Sequence, residues 1–377
     1  MERTGHFACS SHLLNKVITN TVWGFRGNYR SIPTDCPQRD ERQGWLGDRS
    51  EVSRGETYIH NTAAFHTKWT QDMADAQNET GSVPDVCPSY WPLYNDNVTW
   101  PSSIAMIPGT LRQQYGDLAP IERIYPAAKK WLDHMSGYIT NGIISRDNYG
   151  DWCVPPEDPL LIHSKDPARK TDPALLASAY LYWDARLLSH YATLLGKTED
   201  SQNFDQLADR LREGILRKFY SEEKGYFANG SQTSCVLPLA FGLVPDSGRD
   251  KVLNRLIEKI SSESRDHVGT GLIGAQWLMR TLTRNGYGDV AWRIATQDTY
   301  PSWGYMVRKG ATTIWELWNG DTADPAMNSG NHVMLVGDLV AWAFEDLAGI
   351  QPDAQTPGFA RINMRPELPG GCDWVRA

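Results

Sequence analysis

Residues 31–51 read Ser-Ile-Pro-Thr-Asp-Cys-Pro-Gln-Arg-Asp-Glu-Arg-Gln-Gly-Trp-Leu-Gly-Asp-Arg-Ser-Glu and hold the densest chemistry of the chain. Asp35, Asp40, Glu41, Asp48 and Glu51 supply carboxylates, Arg39, Arg42 and Arg49 lie among them, and Trp45 stands between Gly44 and Gly47. A solvated helix alternates its charges on one face and keeps an apolar stripe opposite. This stretch has no such stripe, and Pro33, Pro37, Gly44 and Gly47 interrupt any helical run. It is therefore a loop that gathers acids and cations beside an aromatic ring. Carboxylates transfer protons, guanidinium groups orient and hydrogen-bond, and a ring offers a face to a sugar, so the chemistry expected is that of a sugar-cleaving site.

A second acidic feature lies far downstream, where residues 310–320 read Gly-Ala-Thr-Thr-Ile-Trp-Glu-Leu-Trp-Asn-Gly. Glu316 is framed by Trp315 and Trp318, and a carboxylate among indoles is expected in dry surroundings that favour proton exchange near neutral pH. Glycoside hydrolysis uses two carboxylates on opposite sides of the scissile bond. Glu316 and an acid of the first segment can meet only if the two ends of the chain close into a ring.

The elements that would do this are helices. Residues 12–26, 55–76, 104–115, 120–138, 173–195, 201–219, 250–263, 271–285, 287–297 and 331–347 carry apolar side chains at three- and four-residue spacing. Asp172-Pro173 gives an N-cap followed by proline at the first helical position, and Asn285-Gly286 and Ala348-Gly349 are stop signals. Trp23, Trp69, Trp131, Trp183 and Trp277 fall on these stripes and are expected in the core. Strand-like alternation is scarce. Helices in pairs joined by long loops predict an all-α toroid in which inner helices ring a funnel and rim loops carry the site. Gly358–Pro366 alternates like a strand after a Pro- and Asp-rich loop. The expected organisation is a junction at 1–10, a helical barrel over 11–350, and the opening of an incomplete C-terminal β-domain at 351–377.

Composition narrows the function classes. The chain has 377 residues, 41% hydrophobic, with a net charge of −8 and no basic patch, which argues against a nucleic-acid partner. No run approaches a membrane span, and the first residues lack the apolar stretch of a secretory leader, so a cytoplasmic or periplasmic setting is expected. The six cysteines are scattered without a Cys-x-x-Cys pair, as neither a zinc site nor a disulfide framework would have them. With 15 Trp and 16 Tyr, the chain has rings enough for both a core and a sugar-stacking cleft. The acids of the first segment lack the regular spacing of a calcium loop, and no metal or other cofactor is expected.

Asp35-Cys-Pro-Gln-Arg-Asp-Glu-Arg-Gln-Gly-Trp-Leu-Gly-Asp48 closely resembles the signature of bacterial α-L-rhamnosidases of glycoside hydrolase family 78. Gly310–Glu316, Tyr300-Pro-Ser-Trp-Gly-Tyr-Met-Val307, Ser329-Gly-Asn-His332, Leu347-Ala-Gly-Ile350 and Tyr149-Gly-Asp-Trp152 resemble further motifs of that family, in order, from about residue 5 to 366. The resemblance implies an (α/α)6 barrel, the six-hairpin toroid, with a short strand-like remnant of a β-sandwich at its C-terminus. It also implies inverting hydrolysis of terminal α-L-rhamnosides, with a small-molecule or oligosaccharide rhamnoside as substrate. Carried over by position, Glu41 is implied as the general acid and Glu316 as the general base. Asp35 and Asp48 are implied to hold sugar hydroxyls, braced by Arg39. Trp45, Trp100 and Trp152 would wall the pocket, which suits a sugar whose C6 is a methyl group. His332 would bond the sugar or the base, Asp151 a further hydroxyl, and Trp303 is carried over as a sugar contact. The chain departs from the family at Trp100-Pro-Ser-Ser103, where many members have Trp-Gly-Asp-Ala, so either Ser102 takes the place of the acid or that contact is left to water. Members usually flank the barrel with β-sandwich domains, and a barrel flank exposed without one would favour self-association into a homo-oligomer.

Overall fold

The computed structural model describes residues 1–377, the side chain of Met327 excepted. Its helices are α1 (His12–Asn28), α2 (Val52–Ile59), α3 (Ala63–Ala76), α4 (Ser103–Tyr115), α5 (Ala119–Ser136), α6 (Pro173–Leu194) and α7 (Thr198–Phe219). They continue as α8 (Gln232–Ala240), α9 (Arg249–Ile257), α10 (Leu272–Ala275), α11 (Leu278–Arg284), α12 (Gly288–Ala295), α13 (Trp303–Arg308) and α14 (Leu339–Trp342). Wider π-turns extend α9 to Glu263 and α14 to Leu347. Local signals set several starts: Ser11 Oγ accepts from the Leu14 amide at 3.2 Å, and Asp172 Oδ1 accepts from Ala174 at 2.8 Å ahead of Pro173.

Packing arranges these helices in two shells. The inner helices touch in a closed sequence, α2 on α4, α4 on α6, α6 on α8, α8 on α11, α11 on α14, and α14 back on α2. Outside them α3 and α5 lean on α4, α7 on α6, α9 on α8 and α12 on α11, while α1 packs on α13. This is the (α/α)6 barrel of a six-hairpin domain. No described helix is long and apolar enough to cross a membrane.

The expected helices are present, with physical exceptions. The run 55–76 is broken because His60 turns extended and pairs with Arg3 from the chain's start. The run 271–285 is broken because Asp338, from just before α14, caps the amides of Met279 and Arg280 at 3.1 and 3.0 Å and restarts the helix as α11. Helices α8 and α13 escaped the periodicity reading: α8 is buried almost all round and contains Pro238, and α13 has only six residues. Trp23 is not in the core; it is 53% exposed, with the Arg26 guanidinium 4.7 Å above its ring.

Strands are few and short. Ile350–Pro352 pairs antiparallel with Ile362–Met364, and Val375–Arg376 pairs with Ala8–Cys9, so the residues after 351 fold back on the barrel and join the two ends of the chain.

Charge as well as apolar packing joins α2, α11 and α14. Arg280 donates to Glu51 at 2.6 Å and to Asp338 at 3.3 Å, and the buried Glu345 accepts from Arg54 at 2.5 Å and Arg284 at 2.7 Å. These pairs tie the first inner helix to the last, the closure on which the site depends.

Candidate active site

The loop between α1 and α2 is closed by its own backbone. The Asp35 amide donates to Gln43 O at 3.0 Å, and the Gln43 amide returns a bond to Asp35 Oδ1 at 2.6 Å. Residues 36–42 are thereby thrown out as a tip that carries Arg39 and Glu41. Below the tip, Gly44 passes so close to Cys87 that a Cβ would stand 2.1 Å from its carbonyl oxygen, and a Cβ on Gly47 would strike the Trp100 indole. Both contacts require glycine. Arg49, fully buried, pairs with Glu56 and donates to Thr34 O at 3.1 Å, anchoring the loop to α2.

The opposite loop, between α13 and α14, carries Glu316. Its amide donates to Ser329 O at 2.9 Å, and the Ser329 amide donates to Glu316 Oε2 at 2.8 Å. Ser329 Oγ donates to Gln38 Oε1 at 2.9 Å, joining the two loops directly, and Asn28 Nδ2 at the end of α1 donates to Asn331 Oδ1 at 2.9 Å.

Between the loops lies a cavity of about 530 Å³ lined by Arg39, Asp40, Glu41, Trp45, Asp48, Trp91, Trp100, Tyr149, Trp152, Glu316, Ala326, His332 and Met334. Arg39 spans it. Its Nε donates to Glu41 Oε2 at 2.8 Å, with Nη2 2.6 Å from the same oxygen, and Nη1 and Nη2 donate to Glu316 Oε2 and Oε1 at 3.0 and 3.3 Å. Glu41 Oε1 accepts from Trp45 Nε1 at 2.8 Å. Glu316 is therefore held by polar donors. The indoles that flank it in sequence turn away: Trp318 is buried and donates to Thr270 O at 3.1 Å, and Trp315 packs against Gly320.

At the cavity's base, His332 Nδ1 accepts from the Met334 amide at 3.3 Å, which leaves Nε2 as the N–H, 3.6 Å from Asp48 Oδ2. Burial, reinforced by Arg39, pushes His332 down to about 3, so it is neutral at working pH. Burial also raises Asp48 well above the carboxylate range, with Asp35 adding to the effect, and its Oδ2 has no partner. Burial thus favours the protonated form of Asp48, in which the unpartnered oxygen can donate a hydrogen bond.

The remaining wall is aromatic. Trp45 meets Trp91 and Tyr149 edge-on at 6.3 and 5.8 Å between ring centroids, and Tyr149 packs on Trp100 at 4.4 Å. Tyr149 is aimed by its hydroxyl, which donates to Asp85 at 2.8 Å, and by Asp147, which accepts from the Tyr149 and Gly150 amides.

Of the residues expected at the site, Arg39, Glu41, Trp45, Asp48, Trp100, Trp152, Glu316 and His332 meet in this cavity. Asp35, Asp151 and Trp303 do not line it. Asp35 is 1% exposed and lies behind the loop tip. Asp151 is buried at the start of α10, where it accepts from the Gly271, Ile273 and Gly274 amides and from Thr233 Oγ1, so it is corrected from sugar contact to helix cap. Trp303 is likewise corrected to a core residue: its Nε1 donates to Leu335 O at 2.7 Å and its ring packs on Trp318. Ser102 is buried against Asp184 at 2.6 Å and replaces no acid in the cavity. Sequence reasoning did not select Trp91, Tyr149 or Met334. Tyr149 opens the Tyr149–Trp152 motif, and Trp91 belongs to a Pro-rich aromatic run, 88–94, which are the signals they offered.

One group of possible cation ligands occurs here: an oxygen each of Asp35 and Glu41 and the Cys36 sulfur lie within 4.8 Å of one another. Burial and the neighbouring Asp35 raise the Cys36 thiol far above its ordinary value, which disfavours the thiolate a metal would need.

The sequence profile described as the bacterial alpha-L-rhamnosidase 6 hairpin glycosidase domain matches residues 2–347. The chain is 36% identical over 375 residues to an alpha-L-rhamnosidase of Streptomyces avermitilis, covering 98% of this chain and 34% of that protein. It is 33% identical over 370 residues to one of Formosa agariphila, covering 96% and 39%. Among solved structures, the alpha-L-rhamnosidase from Dictyoglumus thermophilum superposes with a TM-score of 0.93 at 37% identity, covering 99% of this chain and 41% of that one. The Streptomyces avermitilis enzyme complexed with L-rhamnose gives 0.91 at 34% identity, covering 99% and 35%. The chain thus spans between 34% and 39% of the length of these two curated relatives.

Proposed function

Because the chain belongs to the family of bacterial alpha-L-rhamnosidase six-hairpin glycosidase domains, we propose that its cavity hydrolyses terminal α-L-rhamnosides with inversion at the anomeric carbon. Glu41 is the general acid that protonates the departing oxygen, and Glu316 is the general base that draws a proton from the attacking water. The observation that carries this reading is the single guanidinium of Arg39 bonded to both carboxylates. Carboxylates on adjacent edges of one guanidinium cannot touch each other, which supports the spacing of roughly 6.5–9.5 Å that leaves room for a water in an inverting pair.

The lining supports a deoxy sugar. Trp45, Trp100, Trp152 and Met334 offer apolar surface to a C6 methyl group, while Asp48 and His332 offer hydrogen bonds to ring hydroxyls. A uronic acid is disfavoured: among the described lining residues Arg39 is the only Lys or Arg, and two glutamates already occupy it.

The test is release of p-nitrophenol from its α-L-rhamnoside by the wild type beside Glu41→Gln and Glu316→Gln. A bell-shaped pH profile that collapses by about 10²–10⁴-fold in each variant is expected. A wild type that releases p-nitrophenol from other glycosides but not from the rhamnoside would overturn the reading.

A further inference from the structure

We propose that the cavity between the turn at 140–143 and the end of α7 binds an oxyanion carried by an acidic saccharide, a uronate carboxylate or a sulfate ester, at a place separate from the catalytic cavity. It has about 490 Å³ and shares no lining residue with the catalytic one. Arg146, Arg217 and Lys218 line it, no Asp or Glu does, and among the described residues no ion pair neutralises any of the three. In a chain of net charge −8 that is an exception. Like charges brought to one cavity repel one another, and an anion bound among them offsets that repulsion.

The walls are fixed before any ligand arrives. Thr140 and Ile143 exchange backbone bonds at 2.8 and 3.1 Å, and Asn141 and Gly142 between them take φ of 53° and 76°, the two-residue turn that favours Asn-Gly. Gly142 lies so close to Gly214 of α7 that a Cβ on Gly214 would strike its carbonyl oxygen. Arg217 Nη2 donates to Asn141 O at 2.7 Å, and the Arg146 guanidinium stands 4.1 Å over the Tyr138 ring. Both arginines are therefore held by neutral groups that leave their charge uncompensated. A side chain already held in place loses less rotamer freedom when a ligand binds.

Helix electrostatics accounts for only part of this arrangement. Cations in a helix's last turn offset its dipole, which is reason enough for Arg217 and Lys218 in α7. Arg146 comes from another segment of the chain, and the dipole does not explain why it lines the same cavity. A guanidinium takes a carboxylate or sulfate through two parallel bonds. Thr140, Asn141 and Ser145 add two hydroxyls and a carboxamide, groups that exchange hydrogen bonds with sugar hydroxyls. Only the saccharide nature of the carrier rests on the proposed function; the anion site does not.

The experiment is biolayer interferometry of the whole chain, in low-salt buffer, on surfaces carrying polygalacturonate, dextran sulfate or neutral dextran. Wild type should bind at least one of the two polyanions and not dextran, and Arg146→Ala/Arg217→Ala should raise Kd by about tenfold. Lys16→Ala/Arg123→Ala, which removes two exposed cations from α1 and α5, should keep the wild-type Kd. The polyanion that binds identifies the carried group as carboxylate or sulfate. Failure of wild type to bind either polyanion, equal weakening in the two double variants, or equal binding to dextran would overturn the proposal. Melting temperature checks the fold of each variant. Should Arg146→Ala/Arg217→Ala unfold, Lys218→Glu, at an exposed residue that lines the cavity, gives the same comparison. Release of p-nitrophenol from its α-L-rhamnoside reads the catalytic cavity separately, so its absence in the wild type would strike the proposed function and leave the binding result to stand or fall by itself.

Discussion

Arg39 reaches Glu316 with a two-pronged bond, Nη1 to Oε2 at 3.0 Å and Nη2 to Oε1 at 3.3 Å, across 277 positions of sequence. The same guanidinium holds Glu41 through its Nε edge. One planar, rigid group therefore sets the distance and relative orientation of the two carboxylates, and the loops that carry them are joined again beside it by Ser329 and Gln38. Ring closure of the barrel and alignment of the two acids are one structural event.

This assigns Arg39 a role that lysine cannot fill. An ammonium is a point charge without a planar fork, so it cannot hold two carboxylates at a fixed spacing and orientation. Arg39→Lys should lower kcat on p-nitrophenyl rhamnoside by about 10²-fold or more, within the range of a lost acid–base contribution, with little change in melting temperature. A kcat near wild type would show that the bridge does not organise catalysis.

The wall is expected to act on binding rather than on chemistry. Trp91 packs edge-on against Trp45 at the cavity's side and touches neither glutamate through a hydrogen bond. Trp91→Ala should raise KM by roughly two- to tenfold, the equivalent of about 0.5–1.5 kcal/mol of aromatic contact, and leave kcat within twofold. A dominant fall in kcat would contradict this.

Asp151, by contrast, should matter to the fold alone. It accepts three backbone amides at the start of α10 together with Thr233 Oγ1. Asp151→Asn puts two N–H donors where an acceptor is needed and should cost about 1–3 kcal/mol in denaturant unfolding, with KM unchanged. A KM effect without a stability loss would return Asp151 to the sugar.

Glu345 gives a larger stability effect with a defined pH signature. Burial opposes its charge, but Arg54 and Arg280 outweigh burial and hold it down at about 2. Glu345→Gln leaves a buried cationic cluster short of its anion and should cost about 3–5 kcal/mol. Because the folded value lies below the ordinary carboxylate value of about 4.3, this contribution is complete above that pH and is lost as pH falls toward 2. Wild-type stability should accordingly drop between about pH 4 and 2 by more than that of the variant. Equal acid sensitivity of the two would contradict the assignment.

What could be read in the sequence was whatever is decided locally. The 31–51 loop declared itself by acids and arginines set among Pro and Gly, and α1, α4, α5, α6 and α7 declared themselves by period and caps. What could not be read was decided by partners remote in sequence. Asp338 restarts a helix about sixty residues upstream, and the chain's first residues break the run 55–76 at His60. Asp151 is taken up by amides more than a hundred residues away. Trp315, Trp318 and Trp303 look in sequence like neighbours of Glu316, yet they turn into the core, leaving the carboxylate to Arg39 and Ser329. Asp35 sits in the same motif as Glu41 but on the other side of the loop, which only the paired bonds between residues 35 and 43 reveal.

The most direct measurement of the central claim is proton NMR of the first sugar released from an α-L-rhamnoside by the wild type, before mutarotation. Glu41 and Glu316 held apart by Arg39, with a water between sugar and base, predict that β-L-rhamnose appears first. α-L-Rhamnose as the first product would mean a covalent intermediate on one of the two glutamates and would contradict the account.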